Sequence, residues 1–217
     1  MTLVIAAHGT NFVILGADSR GTIGTEEQGL IIGLDDRSKL IEVAPHVGFL
    51  MFGFGDVGEM LLQGFRASLG SLDGVSLVAE NFRVHCREKW NEWLTGVRPE
   101  YFPRFGFLIS GLDPNQAGEF VVPRTYSLLS ESGFVPGFHR KFISMGCPML
   151  ANYILNKRYR EDLTVETLAP LVAYAISETA SVDRRVGGPI KIAIIRSSGY
   201  QLIPEETVEN WIENIEE

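Results

Sequence analysis

Long apolar runs are missing from this chain. No stretch approaches the ~18 residues that a membrane span requires, so no membrane partner is expected. The N-terminus also lacks the basic flank, apolar core and cleavage site of a secretory signal. Cysteine is scarce: Cys86 and Cys147 are the only two, and they form no metal or redox spacing. They read as buried or half-buried thiols of a reducing compartment, and the expected location is cytoplasmic. His85 falls in a helical pattern with no second histidine or cysteine at ligand spacing, so no metal is expected. No Gly-x-Gly-x-x-Gly or Walker-type loop occurs, and no nucleotide cofactor is expected. Basic residues are outnumbered, 19 against 27 acids, for a formal net charge of -8. That balance excludes a nucleic-acid-binding surface and favours solubility. Internal repeats and low-complexity segments are absent as well.

What is present is an ordinary globular composition, 45% hydrophobic and 21% charged over 217 residues. That length predicts one domain, residues 1–217, with a full core. Thr2–Ala7 reads as a strand buried on both faces. His8-Gly9-Thr10-Asn11 is a turn, and Phe12–Gly16 is the returning strand. Lys39–Val43 and Val47–Gly53 form a second strand pair. Asp56, with Glu59 three residues on, reads as a helix cap and capping box. That helix ends at Gly70. A second helix runs from Ser76 to Thr95, with Val78, Phe82, Cys86, Trp90 and Trp93 on one side.

Strands return at Phe105–Ser110, Glu119–Val122, Tyr126–Ser130 and Lys141–Met145. Helices follow at Pro148–Tyr159 and Thr164–Val182, the latter with a kink or shortened first turn expected at Pro170. A strand at Ile190–Arg196 and an amphipathic helix at Pro204–Glu217 close the chain. The helix's acidic face, ending in Glu216-Glu217, reads as solvated while its apolar face covers the domain. The order is strands, two helices, strands, two helices, strand. It predicts an α+β fold with helices layered on stacked antiparallel sheets, rather than a doubly wound parallel sheet.

The chemistry centres on Thr2. If Met1 is removed, Thr2 carries a hydroxyl and a free α-amine on one residue. Such an amine has an unperturbed pKa of roughly 7.7–8 and accepts a proton near neutral pH. A threonine hydroxyl is a weak nucleophile, and an N-terminal amine is a recognised activator. The hairpin returns Asp18, in Gly16-Ala-Asp-Ser-Arg20, close to Thr2. Lys39, at the start of the third strand, fits between them. Its positive charge favours an alkoxide, and Asp18 holds it in place. Gly53, in Phe52-Gly-Phe-Gly-Asp56, lets a substrate approach the backbone and offers an N–H to an oxyanion.

Thr2-Leu-Val-Ile-Ala, Val13-Ile-Leu-Gly-Ala-Asp-Ser-Arg20, Ser38-Lys-Leu, Phe52-Gly-Phe-Gly-Asp56 and Asp183-Arg-Arg-Val-Gly-Gly188 occur in an order that resembles the proteasome β-type subunits and their bacterial relatives. The resemblance spans Thr2 to about Ile195. It implies the four-layer αββα sandwich of N-terminal nucleophile hydrolases. Thr2 would match the catalytic threonine, Asp18 and Lys39 its supporting acid and lysine, and Gly53 the oxyanion glycine. Asp183 would match an aspartate near the nucleophile's amine. The implied substrate is an unfolded polypeptide or peptide. The implied assembly is a homo-oligomeric ring or a related form, with an ATP-dependent unfoldase as a possible partner.

Two departures stand out. Val186 and Met145 occupy positions where the family has serines, and Ser144 is one step away, facing the other side of its strand. The stretch Gly21–Gly33 is also longer than the family's. Three functions follow as expectations: a threonine peptidase first, a non-catalytic or weakly active ring subunit second, and a narrow amidase or transpeptidase on the same fold third.

Overall fold

The structure is a computed structural model and describes residues 2–23, 32–66, 74–98 and 102–215. Met1, the helix end expected at Gly70, the middle of the Gly21–Gly33 stretch and Glu216-Glu217 lie outside the described residues. The opening hairpin is β1 (Leu3–His8) and β2 (Val13–Ala17), with every residue of both strands buried. A short pair follows, β3 (Gly21–Ile23) and β4 (Ile32–Leu34). Next come β5 (Leu40–Ala44), β6 (Val47–Gly53), α1 (Gly55–Arg66) and α2 (Val75–Trp93). The second strand block is β7 (Phe105–Pro114), β8 (Phe120–Leu129), β9 (Gly137–His139) and β10 (Phe142–Gly146). The chain ends with α3 (Met149–Arg158), α4 (Val165–Val182), β11 (Lys191–Arg196), β12 (Gly199–Leu202) and α5 (Glu205–Ile215).

Two five-stranded antiparallel sheets result. One has the order β10-β1-β2-β11-β12, the other β5-β6-β7-β8-β9. The period-2 alternation of strand side chains sorts residues into layers. On β1, Val4 and Ala6 join Leu15, Leu50, Leu108 and Ile195 in a core between the sheets. Leu3, Ile5 and Ala7 face outward against Leu168, Val172 and Ile176 of α4. On the second sheet, Phe49 and Phe107 turn outward against Phe82 of α2, with ring centroids 4.9 and 4.8 Å from it. Burying each such side chain contributes about 1.5–3 kcal/mol. The layers are therefore helix, sheet, sheet, helix: the expected α+β four-layer αββα sandwich. β1 and β2 are buried on both faces because they lie centrally in that stack.

Local differences from the sequence reading have physical reasons. Asp56 does not cap α1; it lies within the first turn and faces Arg37 instead. Glu59 also turns to Arg37 rather than back along the backbone. β8 runs unbroken through Pro123 and joins the two strands expected at Glu119–Val122 and Tyr126–Ser130. β9 pairs with β8 only at Thr125–Ser127, so one side of β8 is open where the proline lacks an N–H. α4 continues across Pro170 to Val182. Both cysteines are buried, and neither is in a disulfide.

Candidate active site

Thr2 sits just ahead of β1 and is buried. Its carbonyl accepts a 2.8 Å hydrogen bond from Cys147 N–H, the residue after β10. Gly146 makes that approach possible. Its φ is +94°, and a Cβ there would come within 1.8 Å of Thr2 O. The next residue, Leu3, is held from both ends by Asp18. Leu3 N–H donates to Asp18 Oδ1 at 2.9 Å, and Asp18 N–H donates to Leu3 O at 3.1 Å.

The Asp18 carboxylate is fully buried and saturated with donors. Oδ1 also accepts from Lys39 Nζ at 2.6 Å. Oδ2 accepts from Gly187 N–H at 3.1 Å and Arg20 N–H at 3.3 Å. Lys39 Nζ donates in addition to Arg20 O at 2.6 Å. Burial pushes the Lys39 ammonium below the usual lysine range, and the charge of Asp18 opposes that shift.

Thr2, Lys39 and Gly53 line one pocket of about 540 Å³, together with Met51, Phe52 and the first turn of α1. Asp18 lies behind its wall. Gly53 ends β6 with φ +85°, and a Cβ on it would lie 2.4 Å from Arg104 O. Glycine is thus dictated by both conformation and space. Four of the expected site residues therefore come together: Thr2, Asp18, Lys39 and Gly53.

Asp183 is placed differently. It follows α4 and does not line the pocket. Arg185 takes its carboxylate through the backbone N–H at 3.0 Å, Nε at 2.8 Å and Nη2 at 2.7 Å. The Arg185 guanidinium beside it holds the carboxyl well below the usual carboxylate range. Burial, with the charge of Asp183 adding to it, pushes the Cys147 thiol above the usual thiol range. Asp183 is thus near Cys147, whose N–H holds Thr2 O. Val186 is buried in the outer core, Met145 packs between the sheets, and Ser144 Oγ donates to Asn152 Oδ1 on α3 at 2.6 Å. That orientation of Ser144 follows from strand alternation.

Sequence reasoning gave Arg37 and Arg185 no role, and read Asp56 and Glu59 as a helix cap and Cys147 as a buried or half-buried thiol. Arg185 was the most accessible of these, standing two residues beyond an aspartate in a turn.

No family model matches the chain. The chain is 26% identical to proteasome subunit beta 1 of Thermococcus onnurineus over 211 residues, covering 91% of this chain and 89% of that protein. It is 27% identical to proteasome subunit beta 1 of Thermococcus sibiricus over 207 residues, covering 94% and 90%. The chain is similar to proteasome β-type subunits over about nine-tenths of its length. A shorter match, 29% identical over 109 residues, relates it to proteasome subunit beta of Thermoplasma acidophilum, covering 50% of this chain and 47% of that one. The four-layer arrangement is accordingly the N-terminal nucleophile hydrolase fold. Among the described residues, no helix is long and apolar enough to cross a membrane, and no group of three or more His, Cys, Asp or Glu side chains is positioned to hold a metal ion.

Proposed function

We propose that the chain is a threonine peptidase, acting as one domain whose active site is the pocket beside Thr2. The observation that carries this reading is the buried Lys39–Asp18 pair set beside a threonine on the wall of that pocket. Cutting the bond ahead of Thr2 converts its amide nitrogen to an amine. Thr2 Oγ then attacks a peptide carbonyl, and its proton passes to that amine. Lys39 stabilises the negative charge that develops on Oγ. The Gly53 N–H holds the carbonyl oxygen as it becomes an oxyanion. The C–N bond breaks, the departing amine takes the proton, and an ester to Thr2 remains. Water, deprotonated by the Thr2 amine, hydrolyses the ester. Asp18 orients Lys39, and Asp183 supports the site at a distance through Cys147. No metal or cofactor enters this scheme.

By analogy with the proteins it resembles, the chain assembles into a ring or related homo-oligomer, acts on unfolded polypeptide, and is served by an ATP-dependent unfoldase. A second reading, a subunit with little or no activity, is favoured by the capture of Asp183 by Arg185 and by the apolar side chains of Val186 and Met145. N-terminal sequencing of the protein isolated from its own cell, with peptide epoxyketone labelling, decides between them. The peptidase reading expects Thr2 as the first residue and labelling there, lost in Thr2→Ala. A blocked or extended N-terminus without labelling would leave the inactive subunit.

A further inference from the structure

Two ion pairs meet the backbone around Thr2, and the proposed chemistry gives a task to only one of them. Lys39–Asp18 reaches Leu3, whose N–H donates to Asp18 Oδ1 at 2.9 Å. Arg185–Asp183 lies beside Cys147, whose N–H holds Thr2 O at 2.8 Å.

The turn that carries the second pair is fixed at both ends. Asp183 N–H donates to Thr179 O at the end of α4, and Val186 N–H donates to Asp183 O, each at 2.9 Å. Val186 is fully buried. Gly187 N–H donates to Asp18 Oδ2 at 3.1 Å, and Gly187 O accepts from Ser19 N–H at 3.0 Å. The turn therefore cannot leave Asp18 without breaking those contacts. Within it, Arg185 grips the Asp183 carboxylate through Nε at 2.8 Å and Nη2 at 2.7 Å, the two-pronged match of guanidinium to carboxylate.

A bare carboxylate near an amine favours the ammonium, because an opposite charge stabilises the charged form. An ammonium cannot take the proton from Thr2 Oγ. An aspartate whose charge is answered inside its own turn exerts little such pull. The other charged groups around Thr2 are also answered: Lys39 by Asp18, Arg20 by Asp35, and Arg37 by Asp56 and Glu59. The Cys147 thiol, raised by burial and by Asp183, stays neutral around pH 7.

Resting on the peptidase reading above, we infer that Arg185 is a positioning residue that cancels the charge of Asp183 and so keeps a free-base fraction of the Thr2 amine available near neutral pH. The capture of Asp183 is then a condition of activity rather than a sign of its loss.

The test is a pH profile. Protein beginning at Thr2 is labelled with a peptide epoxyketone between about pH 6 and pH 10, and the rates give the apparent pKa of the amine. Arg185→Gln removes the charge and keeps a hydrogen-bonding side chain. Its apparent pKa is expected to rise by about one, so labelling at pH 7 falls about ten-fold and rejoins the parental rate near pH 10. Arg185→Lys should keep the parental profile, and Arg185→Gln combined with Asp183→Asn should restore it. An arginine that only holds the turn would lower the rate at every pH without moving the midpoint, and that result overturns the inference. So would an unshifted Arg185→Gln profile, or a shift that persists once Asp183 is Asn. The peptidase reading fails separately, in a parent that takes no label at any pH. Acylation of the Thr2 amine by a small activated ester, followed by mass spectrometry over the same pH range, would still read the amine in each variant and decide the role of Arg185.

Discussion

Lys39 Nζ lies 2.6 Å from Asp18 Oδ1, and both side chains are buried, at 7% and 0% exposure. A pair of this kind is held together by the cost of separating it. Removing one member strands the other charge in a poor solvent, which costs about 3–5 kcal/mol. Lys39→Met is therefore expected to lower unfolding free energy by about 3 kcal/mol, read by urea denaturation. Epoxyketone labelling of Thr2 should disappear in the same variant at temperatures where it remains folded. Labelling at the parental rate would remove Lys39 from the chemistry.

Gly53→Ala should damage the pocket through the backbone. Its φ of +85° costs an L-residue about 1–2 kcal/mol, and the new methyl would press on Arg104 O. The expected result is a stability loss of about 2 kcal/mol or more, by the same denaturation measurement. A drop in Thr2 labelling beyond what the stability loss explains should accompany it. A variant as stable as the parent would show that β6 ends differently.

The two aspartates named by the sequence should separate sharply on substitution. Asp18→Asn disturbs a carboxylate that touches Lys39 and the N–H of Leu3 directly. Thr2 labelling should fall by about a hundred-fold or more, the scale of a lost electrostatic support in a site. Asp183→Asn acts only through Cys147 and Arg185, and the labelling rate should stay within about ten-fold of the parent. Equal losses in the two variants would place Asp183 in the chemistry itself.

His8 gives the fold a sensitivity to acid. Arg140 O accepts from its Nδ1–H at 2.8 Å, so its Nε2 accepts from the Thr125 hydroxyl at 2.7 Å. That arrangement requires a neutral ring. Burial lowers the His8 pKa to about 4. The unfolded chain therefore binds this proton more readily than the folded one. Stability is full above about pH 6.5 and falls as pH drops toward 4, by up to about 3 kcal/mol from this residue. Thermal unfolding across that window should show the slope in the parent, and His8→Gln should flatten it.

Much of the fold was legible because its signals are local. The apolar runs Leu3–Ala7 and Val13–Ala17 announce strands buried on both faces, and the Gly9 turn fixes their hairpin. Asp18 and Lys39 could be placed near Thr2 because short, regular strands carry them there. Contacts between distant segments left no such trace. His8 meets Thr125 across 117 residues, and Arg37 meets Asp56 from a different loop. The acids at positions 56 and 59 matched a capping pattern, and a cation outside the helix drew them away from it. β9 and β12 are three and four residues long and have partly exposed side chains, too little pattern to register as strands.

The clamp on the residue after the threonine has a consequence for latency. With Met1 still ahead of the threonine, backbone groups of Leu3 are fastened to Asp18, and the carbonyl of Thr2 to Cys147 N–H. An uncut precursor would already possess the finished cavity, its lysine and its glycine. Silence before maturation would then be a property of one nitrogen's lone pair rather than of a misshapen protein, and waking it would require no rearrangement.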